Sequence, residues 1–171
     1  MLLTGAITQI TENDVIVRLV LATVLSALVG VEREFHHKPA GLRTNVMVGM
    51  GSCLFTLVSI RVLDLFPNTV VDPTRIAAQI VTGIGFLGAG TILFEKDRSS
   101  VIGLTTAATL WVVAAVGTAV GMGLYVEAIA GTLLVFFTFM VLSKVVNEVR
   151  KRSSGHEPHV DTAREEGRKL L

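Results

Sequence analysis

Charge is scarce in this sequence. Asp, Glu, Lys and Arg make up 17% of its 171 residues, where soluble domains carry roughly 25%. That supply cannot cover a water-soluble globule that is also 51% hydrophobic, and the mean hydropathy of +0.65 points to a membrane. Cysteine is nearly missing. Cys53 stands alone, so no intramolecular disulfide can form, and its place inside an apolar run reads as a small buried hydrophobe rather than a reactive thiol. Lys and Arg are absent before Arg18, which denies the first residues the basic region of a cleavable signal peptide. A Walker motif, an HExxH helix, a CxxC pair and a Ser/His/Asp set are all lacking, so the chain is not expected to be an enzyme. His36 and His37 have no spaced Cys or carboxylate companion and read as loop residues rather than zinc ligands. The period-two alternation of a membrane barrel is not found, and nothing points to nucleic acid.

Five apolar runs are what the sequence has instead: residues 15–31, 46–66, 73–94, 101–120 and 124–144. Each is close to the roughly 20 residues with which a helix crosses a bilayer. Only helices satisfy their own backbone in lipid without closing a barrel. The expected fold class is therefore an all-α integral membrane protein of five transmembrane helices, residues 1–144, with a flexible polar cytoplasmic tail, residues 145–171. The last two runs are separated by "GMG" alone and should form a tight helical hairpin.

Basic residues set an orientation. Arg33, Lys38 and Arg43 lie in the first connection, Lys96 and Arg98 in the third, and seven Lys and Arg follow from Lys144 onward. Basic residues collect in cytoplasmic loops, which places the N-terminus outside and the C-terminus in the cytoplasm. Arg61 and Arg75, flanking the second connection, dissent. Arg61 and Asp64 are three apart and could pair, and Glu127 can complement the start of the fifth helix.

A weak internal repeat accompanies this order. "GLRT" (residues 41–44) opens the second run and "GLTT" (residues 103–106) opens the fourth. Both units run out-to-in and then in-to-out, so the repeat would be a parallel two-helix one. The two helix starts would then share one face, where backbone donors favour an anion or a lipid headgroup.

The segment "GVEREFHHKPAGLRTN", residues 30–45, holds seven ionisable side chains. Most of them make a cytoplasmic loop. Glu32, Arg33, Glu34, Arg43 and Thr44, joined by Thr105 and Thr106, form a candidate polar site at the inner surface. Arg43 stands out, because a cation in the first turn of a helix opposes the dipole and needs a partner. Glu32 or Glu34 would serve, as would anionic headgroups.

In the third run, Asp72 can cap the helix and Pro73 suits its first turn. Arg75 and Gln79 share a face. Gly83, Gly85, Gly88 and Gly90 put small residues on two sides, which predicts close packing and makes this the central helix. Gly117 and Gly121 form a GxxxG pair in the fourth run. Trp111 falls mid-span, away from the interfaces tryptophan favours, and is expected inside the bundle or an oligomer. Asp72, Arg75, Gln79 and Trp111 make a second candidate site, within the bundle.

"GVEREFHHKPAGLRTN", "GSCLFT", "DPTRIAAQIVTGIGFLGAGTIL" and "GLTTAATLWVVAAVGTAVGMGLY" together resemble the N-terminal membrane domain of the bacterial MgtC/SapB family, over roughly residues 16–140. The resemblance implies an inner-membrane protein tied to growth at low magnesium. It implies a role in ion homeostasis more securely than transport. Some members are linked to modulation of the proton-translocating ATP synthase, which would make a membrane protein a partner beside the lipid bilayer. Longer members append a soluble regulatory domain after the last span; the resemblance here is to the membrane part alone, and function is expected to come from that part.

Two functions follow as alternatives: a membrane regulator acting through protein or lipid partners, or a transporter of magnesium or another ion. Mg2+ prefers oxygen ligands that usually include carboxylates, whereas the span middles offer neutral groups such as Ser26, Ser52, Thr56 and Gln79. An ion path would need a homo-oligomer, which is also expected for packing. No cofactor is expected, and Mg2+ stays open as a ligand or a transported ion.

Overall fold

The computed structural model describes residues 10–66, 72, 74–95 and 100–154. Five helices account for nearly all of them: α1 (Glu12–Phe35), α2 (Leu42–Leu65), α3 (Thr74–Gly90), α4 (Leu104–Met122) and α5 (Tyr125–Ser154). Two short strands, β1 (Leu93–Glu95) and β2 (Ser100–Ile102), pair antiparallel between α3 and α4. The chain divides into the units Met1–Phe136 and Phe137–Leu171. The described part of the second unit is the C-terminal stretch of α5.

Helix starts and stops follow local chemistry. Thr11 caps α1 through a capping box: its hydroxyl oxygen accepts the Asp14 N–H at 3.2 Å, and the Asp14 carboxylate accepts the Thr11 N–H at 3.0 Å. At the other end His37 takes a left-handed conformation, φ 51°. The N–H groups of His37 and Lys38 return to the carbonyls of Glu34 and Arg33, which closes the helix in a Schellman turn. The tight connection expected between the fourth and fifth helices is present. Gly123, at φ 82°, ends α4, and α5 begins two residues later.

Length and composition let α1, α2, α4 and the Tyr125–Leu142 part of α5 cross a membrane. α3 is shorter than expected. Its 17 residues rise about 25 Å, less than the roughly 30 Å of a hydrocarbon core. The apolar run 73–94 was expected to be helical throughout, and the run 101–120 from its first residue. The hairpin takes up both ends instead, pairing Leu93 with Ile102 and Phe94 with Val101. Gly103 permits the break: at φ 93° it is left-handed, and a Cβ there would collide with the Thr91 carbonyl.

Within the first unit α2 and α4 are central, each packed on α1, on α3 and on the other. The third helix does not hold that position. α4 buries Leu110, Val113, Val116 and Val120, and Ala22, Leu25, Cys53 and Leu57 complete the core. The α2 and α4 backbones nearly touch. A Cβ on Gly117 would overlap the Gly49 carbonyl, and one on Gly121 would lie 2.7 Å from Thr56 Cβ and 2.9 Å from the Cys53 carbonyl oxygen. These contacts advance together along both helices, so α2 and α4 run parallel.

Candidate functional site

The first connection builds a compact polar cluster. Arg33 is buried, and its Nε donates to Glu32 Oε2 at 2.6 Å. Glu32 also meets His36 Nδ1 at 3.2 Å through its other oxygen. Glu34, in the last turn of α1, reaches across the turn: its carboxylate accepts the Leu42 N–H at 2.9 Å and so caps α2, whose N-cap Gly41 offers no side chain. Gly41 is fitted to that carboxylate, since a Cβ there would overlap Glu34 Oε2. Asn45, fully buried, donates from Nδ2 to the carbonyls of Ala40 and Gly41 at 2.9 and 2.8 Å. It ties the connection to the helix that follows.

The expected partnership of Arg43 with Glu32 or Glu34 is not formed. Both carboxylates are engaged elsewhere, and among the described residues no ion pair holds Arg43. Arg43 and Thr44 are exposed in the first turn of α2. Thr106 is buried and Thr105 exposed in the first turn of α4. Leu42 and Leu104 both open helices behind a glycine N-cap, as the repeat requires. The units otherwise differ, because a turn leads into α2 and a hairpin into α4.

The second candidate site is not a bundle interior. Asp72 accepts the Thr74 hydroxyl at 2.7 Å and its backbone N–H at 2.9 Å. These bonds, the hydroxyl first, hold its pKa below the usual carboxylate value, as suits a helix cap. Pro73 lies outside the described residues. Arg75 and Gln79 are exposed on α3. Trp111 is 52% exposed in the single chain, so it is not packed inside this bundle, and an oligomer is the part of that expectation left for it.

Gln79 and Trp111 belong to different cavities. Gln79 lines an apolar groove of about 550 Å³ between α2 and α3, and Trp111 lines one of about 240 Å³ between α3 and α4. Among the α3 glycines only Gly88 packs closely, with its Cβ position 3.5 Å from Ala107 Cβ, while Gly83, Gly85 and Gly90 face open space.

Arg18 and Arg61 brace helix ends. Arg18 Nη1 donates to the Gly121 carbonyl at 2.8 Å, and its guanidinium lies 5.9 Å from the centre of the Tyr125 ring. Arg61 pairs with Glu12 and donates to the Ile10 carbonyl at 2.8 Å, while the Asp64 side chain, its other expected partner, lies outside the described residues. Glu127 sits in the first turn of α5. Several mid-helix hydroxyls turn back on their own helices, as Thr56 does to the Ser52 carbonyl at 2.8 Å and Thr109 to that of Thr105 at 2.7 Å, whereas the buried Ser26 hydroxyl has no such bond. Among the described residues no three His, Cys, Asp or Glu side chains gather as a metal site. Sequence reasoning missed the roles of Glu34, Asn45 and Arg18. Glu34 carried a signal, since a carboxylate eight residues before an uncapped helix start can supply the cap.

Residues 19–148 match the family model described as MgtC family. Among curated proteins, the chain is 44% identical over 136 residues to YhiD of Escherichia coli K12, covering 77% of this chain and 62% of that protein. YhiD carries the name of a candidate magnesium transporter. Protein SapB of Bacillus subtilis is 40% identical over 141 residues, covering 81% of this chain and 60% of SapB. Protein MgtC of Salmonella typhimurium LT2 is 40% identical over 136 residues, covering 80% of this chain and 55% of MgtC. The chain thus spans about three fifths of the length of these relatives. No solved structure matches it.

Proposed function

The chain belongs to the MgtC family of membrane proteins, and from that premise we propose that it is a regulator of magnesium and ion homeostasis, placed in the bacterial inner membrane and acting through protein or lipid partners. One observation carries this reading. Charged side chains with described contacts serve helix ends, as Glu34 caps α2, Arg18 closes α4 onto α1 and Arg61 binds the start of α1, or pair with one another, as Glu32 and Arg33 do. The cavities of the first unit that open beside α3 are lined chiefly by apolar side chains, which suits lipid or another helix rather than a hydrated cation.

The N-terminus outside, the basic first connection in the cytoplasm and a homo-oligomeric state are part of the proposal. So is the proton-translocating ATP synthase as a membrane partner. ATP-driven proton pumping in inverted membrane vesicles, with and without the overproduced chain, tests that partner. Slower pumping with the chain present is expected, and unchanged pumping removes the synthase from the account.

Transport is the second reading, favoured by the name that YhiD carries. In that reading an oligomer would form the path, with Mg2+ as cargo.

A further inference from the structure

The groove between α2 and α3 runs along α2 from Thr44 to Phe55 and is faced across by Ile76, Ile80, Ile84 and Leu87 of α3. Its apolar lining suits hydrocarbon, and its polar residues include Thr44 at one end and Gln79 toward the start of α3. Phe55 lies eleven positions after Thr44, a rise of about 17 Å. One leaflet of a hydrocarbon core is about 15 Å deep. The groove therefore has the length of one acyl chain.

Its Thr44 end carries a cation. Arg43 stands one turn before Met47, which lines the groove, and residues four apart share a helix face. Arg43 is exposed, and among the described residues no ion pair neutralises it. Glu34, the nearest carboxylate in sequence with a described bond at this helix start, already accepts the Leu42 N–H. The guanidinium is thus left to an anion outside the chain. Arginine forks match phosphate oxygens well.

We propose that this groove holds one acyl chain of an anionic phospholipid, with Arg43 binding the phosphate of its headgroup. A second copy of the chain fits the same groove less well. A twofold axis along the membrane normal would bring a second Arg43 to the same end of the interface and set like charges together. The site names a lipid partner for the regulator read above, and it rests on that reading only for the idea that the chain acts by binding.

The test uses the full chain in phosphatidylcholine vesicles, with Trp111→Phe removing the native indole and Phe55→Trp placing one in the groove. Quenching by brominated phosphatidylglycerol is compared with quenching by brominated phosphatidylcholine. The expected result is about fivefold tighter association of the anionic lipid, the effect of one basic residue at a membrane surface. Arg43→Gln should abolish that preference and Arg43→Lys should retain most of it. Gly51→Leu, placed where the groove has open space, should remove quenching in excess of bulk lipid while the circular dichroism stays unchanged.

Equal quenching by the two lipids overturns the site. So does a Gly51→Leu variant that converts a dimer into a monomer by subunit counting, which would assign the groove to a second copy. Magnesium entry measured on the same vesicles judges the regulator separately. Selective quenching together with entry keeps the lipid site and removes the regulator, and unselective quenching without entry does the reverse.

Discussion

Glu34 and Leu42 are joined across the first connection by a 2.9 Å hydrogen bond from the Leu42 N–H to the Glu34 carboxylate. One side chain near the end of α1 thereby starts α2, and Gly41 leaves room for it. Glu34→Ala should lower stability by about 1 kcal/mol, the ordinary cost of a lost helix cap. Gly41→Ala should cost more in the native background than in Glu34→Ala, because the carboxylate it would strike is then gone. Thermal unfolding in detergent of the two single variants and the double variant measures that coupling.

Gly117 and Gly85 should respond in opposite ways to one added methyl. At Gly117 the methyl would meet the Gly49 carbonyl, whereas Gly85 has open space. Gly117→Ala is expected to cost about 1–3 kcal/mol through overpacking of α2 against α4. Gly85→Ala should be neutral or stabilising by up to about 1 kcal/mol from helix propensity. Unfolding midpoints of the two variants decide this, and equal losses would contradict the packing described.

The Glu32–Arg33 pair is shielded, with side-chain exposures of 12% and 6%. Removing the carboxylate leaves a buried guanidinium short of one charge partner. Glu32→Ala should therefore cost about 3 kcal/mol, well above the loss expected from Glu34→Ala. Denaturant titration of the two variants side by side checks the order.

Much of this fold was legible in the sequence because the bilayer imposes length and hydrophobicity on a helix. The five helices follow from the apolar runs, and the short α4–α5 connection follows from "GMG". The end of α3 was not legible. Leu93, Phe94, Val101 and Ile102 are as apolar as the helices around them, so hydropathy does not separate a hairpin from a span, and the left-handed Gly103 sits between the strand and α4. The glycines of α3 misled for a related reason. Small residues permit close packing without requiring it, and three of them face open space. In the candidate site, proximity in sequence suggested which residues gather at the first connection but not their pairings. Glu34 takes a backbone N–H rather than Arg43, because an uncapped helix start competes for the same carboxylate.

Orientation gives a further prediction. Cys53 is the sole and fully buried cysteine, so Cys53→Ala supplies a clean background for labelling. Lys38→Cys, in the exposed first connection, should react with a membrane-impermeant maleimide only after the cells are opened. Leu124→Cys, at the exposed α4–α5 corner, should react in intact cells. The reverse pattern would invert the proposed topology.

The central claim is that the chain regulates rather than conducts. Its most direct test is magnesium entry into liposomes that contain the purified, correctly inserted protein and a trapped indicator, beside empty liposomes and the Arg43→Ala variant. The account predicts entry no faster than in empty liposomes for both proteins. Entry above that level with the native chain, lost in Arg43→Ala, would contradict it and make Arg43 part of a path or gate.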